Sequence, residues 1–124
     1  MSALDIAAKE TGLDTDLTKY LPLSEATYYV MAALDEPLHG YALMQKVEAM
    51  SEGSVVIGPG TLYGAFAALE KQGLIEKVSE QDRRKTYGLT GKGRLVLAEQ
   101  VRRLATMLRN GQFALTQQEK EQAA

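Results

Sequence analysis

Three consecutive basic residues, Arg83, Arg84 and Lys85, are the strongest candidates for chemistry in this sequence. They lie in a stretch, residues 71–94, that holds seven basic residues against three acids, whereas residues 1–60 hold nine acids against three lysines. The formal net charge of the chain is only -2, so positive charge is concentrated in one region. A local field of this sign favours recognition of phosphate groups, and a solvated basic surface without a partner is the alternative.

Groups that could support catalysis or bind a metal are sparse. The sequence has no cysteine and a single histidine, His39, so it cannot form a thiolate nucleophile, a disulfide, a sulfur-based zinc site or a three-histidine site within one chain. His39 is more typical of a turn residue than of a sensor. The segment 58–61 resembles a phosphate-binding loop only superficially, because no lysine follows it. We therefore expect no enzyme activity, no metal and no cofactor.

Hydropathy gives no sign of a membrane segment. No apolar run approaches the roughly 20 residues of a membrane span, and residues 1–19 carry acids where a secretory signal would be basic and then apolar. The sequence therefore predicts a cytoplasmic protein.

Three helices are predicted before the basic stretch. Ser24 can cap the first, over about 24–35, and Pro37 ends it. Apolar residues at spacings of three and four predict a second helix that stops at Gly53. The third follows the break at 58–60 and ends at Gly73.

The third helix has two contrasting faces. Leu62, Phe66 and Leu69 lie in one sector and are predicted to face the core. The opposite side consists of small residues with one aromatic and one lysine: Gly60, Tyr63, Gly64, Ala67 and Lys71. We expect this outward face to let another body approach the backbone closely, while Tyr63 as a core aromatic is the alternative.

Two strands, near residues 74–78 and 86–89, are predicted next, joined by a connection from Ser79 to Arg84. The tip has no glycine, so we expect a turn that is either longer than usual or mobile. Three helices followed by a basic β-hairpin is the order of a winged helix-turn-helix, and the fold class is therefore mostly α with a small β-hairpin.

The last helix is predicted to begin after Thr90 and to run to about Asn110. Its apolar residues recur at spacings of four, three and four: Leu97, Val101, Leu104 and Leu108. This stripe could pack on the core of its own domain. A two-fold dimer is the stronger interpretation, because the first three helices can already close that core.

The chain therefore divides into four parts: an N-terminal extension (1–23), the winged-helix domain (24–89), a dimerisation helix (90–111) and a polar tail (112–124) that we expect to fray. In the extension, Asp14 and Thr15 could cap a short helix that continues towards Tyr20.

Four short motifs occur in a fixed order: EPLHGY at 36–41, GTLY at 60–63, LEKQGLI at 69–75 and RKTYGLTGKG at 84–93. In this order and spacing they resemble the PadR family of bacterial transcriptional regulators, over about residues 28–110. The resemblance implies a homodimeric repressor whose third helix enters the major groove. Its wing would follow the DNA backbone or minor groove, and its last helix would supply the dimer contacts.

The resemblance also implies which residues contact DNA. These are Thr61 and Tyr63 with their outward neighbours Gly60, Gly64, Ala67 and Lys71, Gly40 and Tyr41 at the start of the second helix, and Arg83, Arg84 and Lys85 in the wing. The backbone N–H groups at Gly40 and Tyr41 would face a phosphate. Family members often carry Lys or Arg near Ala67 and Ala68 and Pro at Gly64, so here affinity should depend more on the wing and Lys71. Base discrimination should then either be modest or depend on DNA shape.

The predicted function is thus a DNA-binding repressor that binds an inverted repeat as a homodimer and is released by a small apolar or aromatic effector near the dimer interface. Five methionines could form an adaptable pocket for such a ligand, although core filling is their default role. The alternative function is a winged-helix protein-interaction module whose hairpin and third helix bind an acidic partner.

Overall fold

The computed structural model describes residues 16–123, which form four α-helices and three β-strands. In chain order the elements are a 3-10 turn (Thr18–Tyr20), α1 (Glu25–Ala33), β1 (Leu38–His39), α2 (Gly40–Met50), α3 (Pro59–Lys71), β2 (Ile75–Gln81), β3 (Arg84–Leu89) and α4 (Gly91–Ala123). This order confirms the predicted winged helix, in which β2, β3 and their turn form the wing. The predicted capping residues Asp14 and Thr15 lie outside the described residues. The described part of the short helix predicted after them is the 3-10 turn at Thr18–Tyr20.

The core lies between the inward faces of α1, α2 and α3. Met31, Leu43 and Leu62 are fully buried there, and the base of α4 adds Val96. Each such side chain contributes roughly 1.5 to 3 kcal/mol by leaving water, so the three helices and the base of α4 form one packed unit. Met31 therefore has the core-filling role.

The helix ends follow the predicted capping residues. The Ser24 hydroxyl accepts a hydrogen bond from the Thr27 N–H at 3.1 Å. Gly53 and Gly73 adopt φ of +81° and +76°, a left-handed conformation that glycine takes without steric cost. These residues fix where α1 begins and where α2 and α3 end.

The sheet has three antiparallel strands in the order β1-β3-β2. The sequence predicts only a tight connection where β1 lies, because a strand of two residues has no readable periodicity. Leu38 pairs with Tyr87 and His39 pairs with Thr86. The wing is therefore tied to the chain immediately before α2.

The predicted connection from Ser79 to Arg84 is wrong. Pairing continues to Gln81 and Arg84, so only Asp82 and Arg83 form the turn. Both have positive φ, +50° and +66°, which is the geometry of a two-residue type I′ hairpin turn. The irregularity lies instead inside β2, where the register shifts between Lys77 and Ser79. The two strands of the wing are therefore hydrogen-bonded along their length, and only a two-residue turn forms the tip.

The last helix is longer than predicted, since α4 continues past Asn110 to Ala123. Polar composition suggested a tail, but residues 112–123 contain no glycine or proline and many good helix formers. At the other end, the Thr90 hydroxyl accepts the Gly93 N–H at 2.9 Å, which confirms Thr90 as a capping residue. The same hydroxyl donates to the Gly73 carbonyl at 2.6 Å. No helix among residues 16–123 is long and apolar enough to cross a bilayer.

Candidate nucleic-acid interface

A hollow of about 750 Å³ lies between the first turns of α2, the side of α3 and the wing. We call it the basic hollow, and its lining consists of His39, Gly40, Tyr41, Ala42, Gln45, Tyr63, Arg83, Arg84, Lys85 and Tyr87. Six of these are predicted DNA contacts from three separate segments of the chain. The fold therefore brings together the start of α2, Tyr63 and the wing cations.

Gly40 allows α2 and α3 to approach each other beside the hollow. A Cβ atom at this position would lie 2.9 Å from the Tyr63 hydroxyl oxygen and 3.2 Å from Leu62 Cδ2. Gly40 is itself buried, and the side chain of His39 makes no capping hydrogen bond to the start of α2. The glycine thus lets the Tyr63 ring lie against the first turn of α2.

The charges of the wing tip are not compensated. Arg83, Arg84 and Lys85 are exposed and form no salt bridge with any described residue, and no carboxylate lines the hollow. Lys46 differs, because it pairs with Asp35 and thereby holds the pKa of that carboxyl below its usual range. The positive field of the hollow therefore comes from the wing.

Two of the tyrosines in the hollow project into solvent. Tyr41 is 65% exposed and Tyr63 is 58% exposed, so Tyr63 is not a core aromatic. Tyr87 is half-buried, with its ring centroid 4.6 Å from that of Phe66. The Phe66 ring in the core thus supports the floor of the hollow.

The outward face of α3 holds the other predicted contacts. Gly60, Thr61, Gly64, Ala67 and Lys71 are all exposed, and none of them lines the hollow. A Cβ atom at Gly60 or Gly64 would meet nothing within 4 Å. As predicted, this face is shallow and open to close approach, and Tyr63 lies where it borders the hollow.

Four lining residues are absent from the sequence-based prediction: His39, Ala42, Gln45 and Tyr87. For two of them, the spacing from a predicted contact residue could have indicated a place in the hollow. Gln45 follows Tyr41 by four residues and so shares its helix face, and Tyr87 follows Lys85 by two and so shares its strand face. His39 lies in β1, and the pairing of β1 with β3 places it beside the wing. Ala42 lies in the first turn of α2, next to Tyr41.

The apolar stripe of α4 divides into two parts. Leu97 is partly buried and packs against the core of its own domain, which was the alternative to a dimer contact. Further along the helix, Val101 is 47% exposed, Leu104 37% and Leu108 61%. Met107, Phe113 and Leu115 are exposed as well. The stripe beyond Leu97 is therefore uncovered in a single chain.

The winged-helix fold agrees with solved structures. A PadR-like transcription factor from Bacteroides fragilis aligns with a TM-score of 0.59 and 27% identity, over 71% of this chain and 87% of that one. A PadR family transcriptional regulator from Eggerthella lenta aligns with a TM-score of 0.53 and 27% identity over 94% of both chains. RosR of H. salinarum, at 20% identity and a TM-score of 0.56 over 77% of this chain and 98% of that one, shares the fold.

Curated relatives are similar over more than half of the chain. An uncharacterized 37.1 kDa protein in transposon TN4556 of Streptomyces fradiae is 38% identical over 85 residues, which is 68% of this chain and 24% of that protein. An uncharacterized protein X of Lysinibacillus sphaericus is 34% identical over 76 residues, 58% of this chain and 70% of that protein. The chain thus spans about a quarter of the first relative's length.

The family profile described as the transcriptional regulator PadR-like family matches residues 30–99, from α1 through the wing to the base of α4. These residues include the basic hollow and the outward face of α3. The family consists of transcriptional regulators and not of enzymes. The chain belongs to the PadR-like family of transcriptional regulators.

Proposed function

We propose that this protein is a repressor that binds an inverted-repeat operator as a homodimer. In each half-site, α3 lies in the major groove and the wing follows the adjacent DNA backbone. The two α3 helices of the dimer then reach successive major grooves about one helical turn apart.

The observation that carries this proposal is the basic hollow beside an open helix face. Arg83, Arg84 and Lys85 have no acidic partner among the described residues, so a phosphodiester can supply their counter-charge without breaking a salt bridge. An α-helix with side chains is about 10 to 12 Å wide and fits the major groove of about 12 Å. The small residues at Gly60 and Gly64 leave room for that approach.

The residues then have separate tasks. Thr61 and Tyr63 contact the groove edge or phosphates from α3, and Lys71 adds a cation at its far end. Gly40 and Tyr41 place the start of α2, with its positive dipole end, beside a phosphate. The phosphate contacts set the position of the protein on DNA without reading its sequence.

Homodimerisation is supported by the uncovered stripe of α4. Burying Val101, Leu104 and Leu108 against a second copy would contribute roughly 1.5 to 3 kcal/mol for each side chain. Changing Leu104 and Leu108 to Glu should give monomers in sedimentation at micromolar concentration with an unchanged helix content. A wild-type protein that sediments only as a monomer would contradict the dimer.

We further propose that a small apolar or aromatic effector binds at the dimer interface and releases the protein from DNA. Its support is the exposed Met107 beside the stripe and the exposed Leu115 that continues it seven residues after Leu108, because a ligand between two such faces would change the spacing of the two wings. A screen for compounds that lower operator affinity tests this step, and the double change Met107→Ala and Leu115→Ala should reduce the response to any active compound.

Selection of duplexes from a random pool tests the main proposal. We expect a palindromic consensus, and transcription from a promoter that overlaps it should fall when the protein is added. If no duplex is enriched and no binding depends on salt, the protein-interaction alternative replaces DNA binding. If transcription rises instead, the protein is an activator.

A further inference from the structure

Two side chains of α2 form a polar pair at the edge of the basic hollow. The Gln45 amide nitrogen, Nε2, donates a hydrogen bond to the Tyr41 hydroxyl oxygen at 3.2 Å, one helical turn away. Both residues line the hollow, and both are exposed. The wing cations line the same hollow.

This hydrogen bond limits where the Tyr41 proton can point. A phenol has one O–H donor and accepts through its lone pairs, so a hydroxyl that accepts from Gln45 directs its own proton elsewhere. Among residues 16–123 no acceptor takes that proton, and no carboxylate lines the hollow. The donor is therefore available to an oxygen atom of a bound ligand.

We infer that Gln45 is a positioning residue that orients the Tyr41 hydroxyl to donate to a phosphodiester oxygen of the DNA backbone. The inference rests on the proposed function and adds a neutral donor to the wing cations of the same site. A phosphate fits better than a base edge, because three cations line the same hollow and an O–H donor bonds an anionic oxygen strongly.

The orientation of the Gln45 amide determines whether the Tyr41 hydroxyl can donate its proton to DNA. With the nitrogen towards Tyr41, the hydroxyl keeps its donor for DNA. An oxygen at that place would accept the Tyr41 proton and remove the donor. Gln45→Glu imposes this second arrangement and adds negative charge to the hollow, whereas Gln45→Met keeps the side-chain length and helix propensity but removes the amide.

A double-mutant cycle tests the inference on the operator selected above, with dissociation constants measured by fluorescence anisotropy at fixed salt. Tyr41→Phe should weaken binding about tenfold, and Gln45→Met about threefold. Gln45→Glu should weaken binding more than Gln45→Met. In the Tyr41→Phe background, Gln45→Met should cause no further loss.

Neutralising single phosphates with methylphosphonates identifies the contact. We expect one phosphate in each half-site whose neutralisation weakens the wild type but not Tyr41→Phe. Gln117→Met, an equivalent change on the exposed distal part of α4, should bind as the wild type does. All variants should unfold at the wild-type temperature, because Tyr41 and Gln45 are both exposed.

The outcomes separate this inference from the proposed function. If the wild type binds no duplex, the proposed function fails. If it binds and Gln45→Met causes no loss, or causes the same loss with Phe at position 41, Gln45 does not act through Tyr41 and only this inference is overturned.

Discussion

The outward face of α3 and the tip of the wing belong to one surface but differ in chemistry. Between Pro59 and Leu69, α3 carries no charged side chain and no Asn or Gln, and its exposed residues are mostly Gly and Ala. The wing tip carries three consecutive cations without salt-bridge partners among the described residues. Shape and charge therefore lie on separate elements, so α3 can govern fit while the wing governs electrostatic attraction.

Removing the wing cations should have the largest effect. Changing Arg83, Arg84 and Lys85 to Ala deletes six cations from a dimer, and the slope of log affinity against log salt should fall by about five. Operator affinity at about 0.1 M salt should fall at least about a hundredfold. Titrations at several salt concentrations measure both quantities.

A matched control removes the same charge from α4. Arg102, Arg109 and Lys120 are exposed and lie off the apolar stripe, and their change to Ala should leave the slope nearly unaltered. If the two triple variants lose the same slope, overall charge attracts DNA and the wing has no special role.

Filling the open face of α3 should have a smaller effect of a different kind. Gly64→Leu places a side chain where a Cβ meets nothing within 4 Å, so the fold should tolerate it and the helix should gain up to about 1 kcal/mol. We expect about tenfold weaker operator binding at an unchanged salt slope, since only the close approach is lost. Thermal unfolding and anisotropy measure the two effects, and unchanged affinity would exclude a close approach at Gly64.

The smallest effect on operator binding should come from removing a single methyl group from the DNA. No residue of α3 before Glu70 can make a bidentate hydrogen bond to guanine or adenine, and the exposed methyl groups of Thr61, Ala67 and Ala68 fit thymine methyls. Replacing a single dT by dU beneath α3 should weaken binding about threefold, whereas the same change beneath the wing should have no effect. Equal losses at both places would mean that α3 and the wing do not differ in this way.

The sequence could predict features that depend on local chemistry. The cap at Ser24, the left-handed glycines Gly53 and Gly73 and the cap at Thr90 all lie where the pattern places them. The inward and outward faces of α3 also follow directly from helical periodicity. Each of these features is determined within a few residues of the chain.

Features that depend on distant pairing could not be predicted. β1 forms only because Leu38 and His39 meet β3, almost fifty residues later. The tight turn at Asp82 and Arg83 depends on a register that the shift after Lys77 alters. The same pairing brings His39 into the hollow, which explains why part of its lining was missed.

The contacts of Thr90 have a consequence for communication within the molecule. One hydroxyl group joins the last residues of the α3 segment, through the Gly73 carbonyl, to the first turn of α4, through the Gly93 N–H. A Cβ atom at Gly93 would lie only 2.0 Å from the Leu74 carbonyl oxygen, so these two segments are in direct backbone contact. Because the backbones touch here, α4 cannot tilt independently, and a tilt of α4 in a dimer should rotate α3 and the wing with it.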